Sequence, residues 1–355
     1  MRKRCLFALV LGAVLLLGFG TEAFAQHESR GRFVTRSGVA MGTLVQVRAY
    51  VSANLTPQQE EEVAVRAEAA LSEIRRLESL MTTWKPDSEV SQVNANAGQK
   101  GVRVSPEVYD VISRAQGFSK LSLGAFDVSF YALRGLWFFD DDVQPVLPDK
   151  EEIRKRLPLI DYRAIELRPT DRTVRLLKKG MAMNLGGLGK GYAVDAAVRR
   201  LKAGGILAGS VQAGGDLAVF GKTEGGPFWA GIRDPRSADP TDSFAVCQIQ
   251  DHAFSTAGDY ERAFVKDGKR YHHILDPRTG WPAKGARSVT IYAQDATTAD
   301  GLDDIVLMVG KERGLALVET FPDAGAVIVD AQNQVTISRR LKPLCKILHA
   351  PTPGV

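Results

Sequence analysis

The stretch Asn184-Leu185-Gly186-Gly187-Leu188-Gly189-Lys190-Gly191-Tyr192 stands near the middle of a chain of 355 residues. Its glycines allow the backbone a close approach to a ligand or to another element. A helix is expected over 192–202, stopped by Gly204-Gly205. The N-terminus of such a helix directs N–H groups and the positive end of its dipole at any anion ahead of it, and Lys190 adds a mobile positive charge suited to phosphate oxygens. A purely structural turn before a helix explains the same glycines without a ligand. A Walker-type phosphate loop is excluded, because Gly191 follows Lys190 where Ser or Thr is required. A dinucleotide-binding Rossmann unit fits poorly, since strands and helices do not alternate around the stretch.

On the N-terminal side, Thr43, Val45 and Val47 alternate with Gln46 and Arg48, the pattern of a half-buried strand. Thr56, Pro57 and Gln59 supply an N-cap, a first-turn proline and a capping box. The helix they open buries Val63, Ala67, Ala70, Leu71, Ile74, Leu77 and Met81 along one stripe. A second helix follows Ser105-Pro106, with Val108, Val111, Ile112 and Ala115 inward, and a loop rich in glycine and aromatics covers 124–142. Residues 162–177 look strand-like, and short strands dominate 210–254. A strand over 288–292, helices over 298–309 and 312–320, and a hairpin of Val327-Ile328-Val329 with Val335-Thr336-Ile337 close the chain. Elements in blocks favour an α+β fold, with mixed or antiparallel sheets packed against helices. No repeat or linker divides residues 32–349, which read as a single domain.

Composition is that of a globular protein, 45% hydrophobic and 25% charged. Arg2-Lys3-Arg4, an apolar run over 6–19 and Ala23-Phe24-Ala25 form a secretory signal, residues 1–25, with cleavage expected before Gln26. The apolar run is shorter than the roughly 20 residues that span a bilayer, so a soluble, exported, periplasmic product is expected. The remaining chain carries 43 basic and 40 acidic residues, a surplus too small to argue for nucleic acid. Cys247 and Cys345 survive cleavage, and either a disulfide or two buried thiols is compatible with the sequence.

Two further groups carry chemical potential. Asp300, Asp303 and Asp304 share a helix face by spacing; they suit a hard cation such as Mg²⁺, or simply decorate a helix N-terminus. His272 and His273 point to opposite sides if they lie on a strand, which leaves His273 as a general-base candidate beside the plainer reading of a structural histidine. Zinc is disfavoured by the absence of a Cys/His ligand spacing, and a serine hydrolase by the absence of a Gly-x-Ser-x-Gly elbow.

Taken in order, Met41-Gly42-Thr43, Trp84-Lys85-Pro86-Asp87-Ser88-Glu89-Val90-Ser91, Gly124-Ala125-Phe126-Asp127, the stretch 184–195, Gln212-Ala213-Gly214-Gly215-Asp216, 256–260, 273–280 and Ala299-Asp300 resemble the FAD:protein FMN transferases, the ApbE-like family once grouped with thiamine-biosynthesis lipoproteins. The resemblance implies an α+β domain that binds FAD and, with Mg²⁺, transfers FMN to a Ser or Thr hydroxyl of an exported or membrane redox protein, releasing AMP. By motif, Met41, Trp84, Ala125, Phe126, Asp127, Asn184, Lys190 and Leu275 match FAD contacts. Gly187, through its carbonyl, and Asp300, Asp303 and Asp304 match the metal-binding positions, while His273 is the candidate base. The family commonly has Thr at 304, Ser or Thr at 303, and Asn at 212, where this chain has Asp304, Asp303 and Gln212. The acceptor is expected to be a flavoprotein subunit of an electron-transport complex. Hydrolysis of FAD to FMN and AMP, or FAD binding without catalysis, are the competing expectations.

Overall fold

The structure, a computed structural model, describes residues 31–139 and 144–354, so the export segment lies outside the described residues. Eight strands form one antiparallel sheet in the order Arg32–Ala40, Thr43–Val51, Gly209–Ala213, Asp216–Phe220, Ala253–Gly258, Ser288–Ala293, Gly325–Val329 and Val335–Ile337. The helices Pro57–Met81, Gly186–Ala203 and Ala296–Val309 cover one face. Strands Phe228–Arg233, Ser243–Ile249 and Cys345–Ile347 form a smaller sheet against the other. The period of two along a strand divides the core: Ala218 and Phe220 pack toward the helices, Leu217 and Val219 toward the small sheet. Burial on both faces explains why the central strands read as nearly continuous apolar runs. The architecture is α+β.

Local chemistry sets the boundaries. Thr56 and Gln59 make the reciprocal capping box at Pro57–Met81, and the whole expected stripe of that helix is buried. Gly186–Ala203 ends in a Schellman arrangement: Ile206 N–H donates to the Leu201 carbonyl and Gly205, at a φ of 81°, to that of Lys202. Region 162–177 resolves into a hairpin of Ile165–Arg168 with Thr173–Leu176.

One expectation is corrected, and one strand was not foreseen. The central helix begins at Gly186, six residues before the sequence suggests, and takes the glycine run into its first turns. Glycine disfavours helix, but here its missing side chain is required by packing. A Cβ on Gly191 would stand 2.3 Å from the Ala296 carbonyl oxygen, and one on Gly187 2.7 Å from Asp304 Oδ2. The edge strand Arg32–Ala40 is not apparent from the sequence because it is mostly exposed and shows little apolar alternation.

The choice between thiols and a disulfide is settled by register. Cys345 lies directly opposite Cys247 in the small sheet, and the two are bonded, closing a sequence separation of 98 residues.

The packing argument predicts opposite effects for one substitution at two helical glycines. Gly117→Ala meets open space and should stabilise by about 0.4–1 kcal/mol. Gly191→Ala should destabilise by about 1–3 kcal/mol through overpacking against Ala296. Urea unfolding of both variants checks the pair; a neutral Gly191→Ala contradicts the close helix contact.

Candidate active site

The site grows from the contact between Gly186–Ala203 and Ala296–Val309. Asp195, on the first helix, accepts from the N–H groups of Ala296 and Thr297 at 2.9 Å each and so clamps the start of the second. One turn further on, Asp300 reaches back: Oδ2 accepts from Gly191 N–H and Oδ1 from Lys190 Nζ, both at 2.9 Å. Lys190 Nζ also lies 2.9 Å from Asp216 Oδ2, at the start of a central strand. Burial works against the ammonium, but Asp216 and Asp300 outweigh it and hold the Lys190 pKa well above its ordinary value. Asp216 is fully buried, whereas the Lys190 side chain keeps 29% of its surface exposed.

Below this ion pair, Ser255 Oγ lies 2.6 Å from both Asp216 Oδ1 and Asp303 Oδ2. One hydroxyl hydrogen serves only one of these contacts, so a carboxyl proton must serve the other. Asp303 carries it: burial, then the charges of Asp304, Asp300 and Asp216, push its pKa well above the carboxylate range. Asp303 therefore faces the buried Ser255 network rather than sharing the outlook of its neighbours. Burial and Asp300 also raise Asp216 to about 6 and Asp304 to about 7.

Asp304 turns toward the backbone of Gly187. Gly191 N–H, whose regular helical acceptor is the Gly187 carbonyl, is engaged by Asp300. Asp300, Asp304 and the Gly187 carbonyl thus offer oxygen donors in a region where carboxylates outnumber the single ammonium, a donor set that fits a hard divalent cation. Elsewhere, Asp234, Asp242 and His349 also approach one another. Asp234 already accepts from Arg236 N, Ser237 N, Thr352 N and Thr352 Oγ1, which accounts for both of its oxygens.

Most of the other anticipated contacts gather around the helix start. Asn184 Oδ1 caps Gly186 N–H at 2.7 Å, and its Nδ2 donates to Thr83 Oγ1, which brings in the adjacent Trp84. Trp84 is 86% exposed, an open aromatic plane. Phe126 lies against Gly187. Met41 and Gly42 form a two-residue hairpin turn with φ values of 54° and 71°; Met41 N–H donates to Glu78 Oε1, and the Arg262 guanidinium stands beside Gly42. A methionine held at positive φ is a strained position of the kind found at ligand sites.

Three anticipated side chains point inward instead. Ala125 is fully buried, and Leu275 packs with Leu133, Trp137 and Ile153. The Asp127 carboxylate accepts from Ser129 N and Oγ and from Tyr162 N, so it shapes its own loop. His272 is buried with Nε2 on the Ala283 carbonyl, while His273 is exposed and tied through its N–H to the Arg262 carbonyl. Desolvation, then His272, Arg262 and Lys190, hold His273 below the ordinary imidazole value; solvent still reaches the ring and moderates the shift. Sequence reasoning assigned no role to Asp216 or Ser255. The Gly-Gly-Asp run ending at 216 was a signal for the first, and nothing in local spacing marks the second.

An α+β scaffold that gathers several carboxylates and one ammonium at a helix N-terminus is suited to an anionic substrate bound together with a cation. The profile of the ApbE family matches residues 41–328. The chain is 31% identical over 337 residues to a FAD:protein FMN transferase of Treponema pallidum, covering 91% of each. It is 30% identical over 315 residues to one of Vibrio cholerae, covering 88% of this chain and 90% of the other. The solved ApbE protein of Thermotoga maritima superposes with a TM-score of 0.78 at 34% identity, over 88% of this chain and 99% of that one. The chain belongs to the ApbE family and is a flavin transferase by class. Among the described residues no helix is long and apolar enough to cross a membrane.

The raised carboxyls predict a pH dependence. Their folded-state pKa values, about 6 for Asp216 and about 7 for Asp304, exceed the unfolded value. Their contribution to stability is therefore complete below about pH 4 and is lost as pH rises toward 7. Asp304→Asn should flatten this decline in metal-free protein; urea midpoints from pH 4 to 8 that fall equally in wild type and variant contradict the assignment.

Proposed function

We propose that this chain transfers FMN from FAD to a Ser or Thr hydroxyl of an exported or membrane redox protein in a Mg²⁺-dependent reaction, releasing AMP. The observation that carries this reading is the Lys190 ammonium, held between Asp216 and Asp300 at the start of Gly186–Ala203, with Asp304 and the Gly187 carbonyl beside it. A pyrophosphate needs positive charge and a cation site together, and this arrangement of ammonium and oxygen donors supports both. Mg²⁺, held by Asp300, Asp304 and the Gly187 carbonyl, would supply Lewis-acid polarisation of the pyrophosphate.

The protein's own groups do the rest. Lys190 and the helix N-terminus stabilise negative charge on the departing AMP phosphate. Trp84 offers a plane for a flat ring, and the Met41–Gly42 turn and Phe126 frame the cleft. His273, kept neutral by its surroundings, accepts the acceptor hydroxyl's proton as that oxygen bonds to the FMN phosphorus and the bond to the AMP phosphate breaks. Asp303, already protonated within the Ser255 network, supports the floor of the site.

Export is part of the same reading. The signal pattern over 1–25 and a disulfide suited to an oxidising compartment support it. N-terminal sequencing of the secreted or periplasmic product should begin near Gln26; an intact, membrane-bound Met1 contradicts it.

Incubation of the protein with FAD, Mg²⁺ and a Ser/Thr-containing acceptor fragment, followed by mass spectrometry, should show FMN added to the fragment. FMN and AMP released with the fragment unmodified would mean a hydrolase, and intact FAD a binding protein. Lys190→Ala should weaken FAD binding by about 1.5–3 kcal/mol and riboflavin binding far less. Equal losses would mean a damaged loop. Asp304→Thr should raise the Mg²⁺ needed for turnover without abolishing it, because a neutral oxygen replaces a carboxylate. An unchanged Mg²⁺ titration removes Asp304 from the metal set.

A further inference from the structure

Residues 341–354 lie beyond the residues matched by the family profile and are tied into the fold by a disulfide and a series of hydrogen bonds. Cys345 is bonded to Cys247 in the small sheet. Leu348 N–H donates to the Phe244 carbonyl, and His349 Nε2 lies 3.2 Å from Asp242 Oδ1. From there two separate routes run to one residue. On the first, Thr352 donates through N–H and Oγ1 to buried Asp234, both at 2.8 Å. Asp234 holds the backbone of Arg236, whose guanidinium, 7% exposed, grips Asp259 with two bonds of 2.7 and 2.8 Å. On the second, the Pro351 carbonyl accepts from Asn333 Nδ2, Asn333 Oδ1 accepts from Arg287 Nη1, and the Arg287 carbonyl accepts from Asp259 N–H.

Asp259 directly follows strand Ala253–Gly258, which carries Ser255, and opens segment 259–262. That segment ends at Arg262, whose guanidinium stands beside the Met41–Gly42 turn and whose carbonyl holds His273. The tail therefore ends, by both routes, on the wall that carries the base and faces the flavin turn.

We propose that residues 341–354 are a strap, locked by Cys247–Cys345, that positions this wall through Asp259, and that flavin transfer consequently requires the disulfide. Asp259 is a positioning residue, because it acts through Arg262 and His273. The consequence is compartmental: the chain transfers FMN slowly while its cysteines are reduced and reaches its full rate once they are oxidised after export. This rests on the flavin-transfer reading. Reduction by an added dithiol breaks the S–S bond and gives two thiols, with two electrons and two protons drawn from the dithiol, which leaves as its cyclic disulfide.

The test uses the full mature chain in oxidised, dithiol-reduced and reoxidised forms, with thiols counted by alkylation. Thr352→Val, which removes one of the two bonds from the strap to Asp234 while keeping the disulfide, guards against misfolding on reduction. Amide exchange over 259–273 and FMN transfer to an acceptor fragment are both read. Reduction should speed exchange in 259–273 while the eight-stranded sheet stays protected, and should lower kcat for transfer about tenfold or more with KM for FAD unchanged. Reoxidation should restore both, and Thr352→Val should reproduce the loss in part. A doubly reduced protein with unchanged exchange, or with faster exchange and unchanged transfer, overturns the proposal. If the oxidised protein transfers no FMN, the flavin-transfer reading fails separately and amide exchange alone decides whether the strap holds the wall.

Discussion

The Lys190 ammonium between Asp216 and Asp300 is the interaction on which the rest of the site depends. It joins three elements: the glycine-rich helix, the helix 110 residues further along the chain, and a central strand of the large sheet. Buried carboxylates are tolerated only when paired, and breaking one side of such a pair leaves an uncompensated charge. The glycines follow from this geometry. The two helices approach so closely at Gly191 and Ala296 that any side chain at 191 would separate Asp300 from its partners.

The electrostatics of the site follow from the same constraint. Asp216, Asp300 and Asp304 share one ammonium, and Asp303, its pKa pushed up by burial and by these neighbours, joins them through the Ser255 hydroxyl. The result is a floor with surplus negative charge under a helix N-terminus that presents positive charge. Such a floor suits a divalent cation together with an anionic substrate better than either alone. Asp304 adds to that surplus beside Gly187, whereas Asp303 is turned into the Ser255 network.

Much of the fold was legible because local signals agreed with tertiary packing. The capping box at Thr56, the stripe from Val63 to Met81 and the hairpin of Val327-Ile328-Val329 with Val335-Thr336-Ile337 are all realised. The start of the glycine-rich helix was not legible, since the reason for its glycines is a carbonyl of another helix. The exposed edge strand Arg32–Ala40 carries too little apolar pattern to announce itself. Lys190, Asp300 and Asp304 were visible as residues, but their contacts with Asp216, Ser255 and Gly187 arise only when distant segments meet. Asp127 shows the converse: a motif match identified the loop, while its carboxylate serves backbone N–H groups within it. The disulfide stayed open in the sequence because spacing says nothing about register.

The claim that one ion pair organises the site is tested most directly by a double-mutant cycle between Lys190→Met and Asp216→Asn, read as the free energy of unfolding of the metal-free protein. The account predicts that the double variant is less destabilised than the sum of the single ones, with a coupling of about 0.5–3 kcal/mol. Effects that add to within about 0.5 kcal/mol would show that the two residues do not depend on each other and would contradict it.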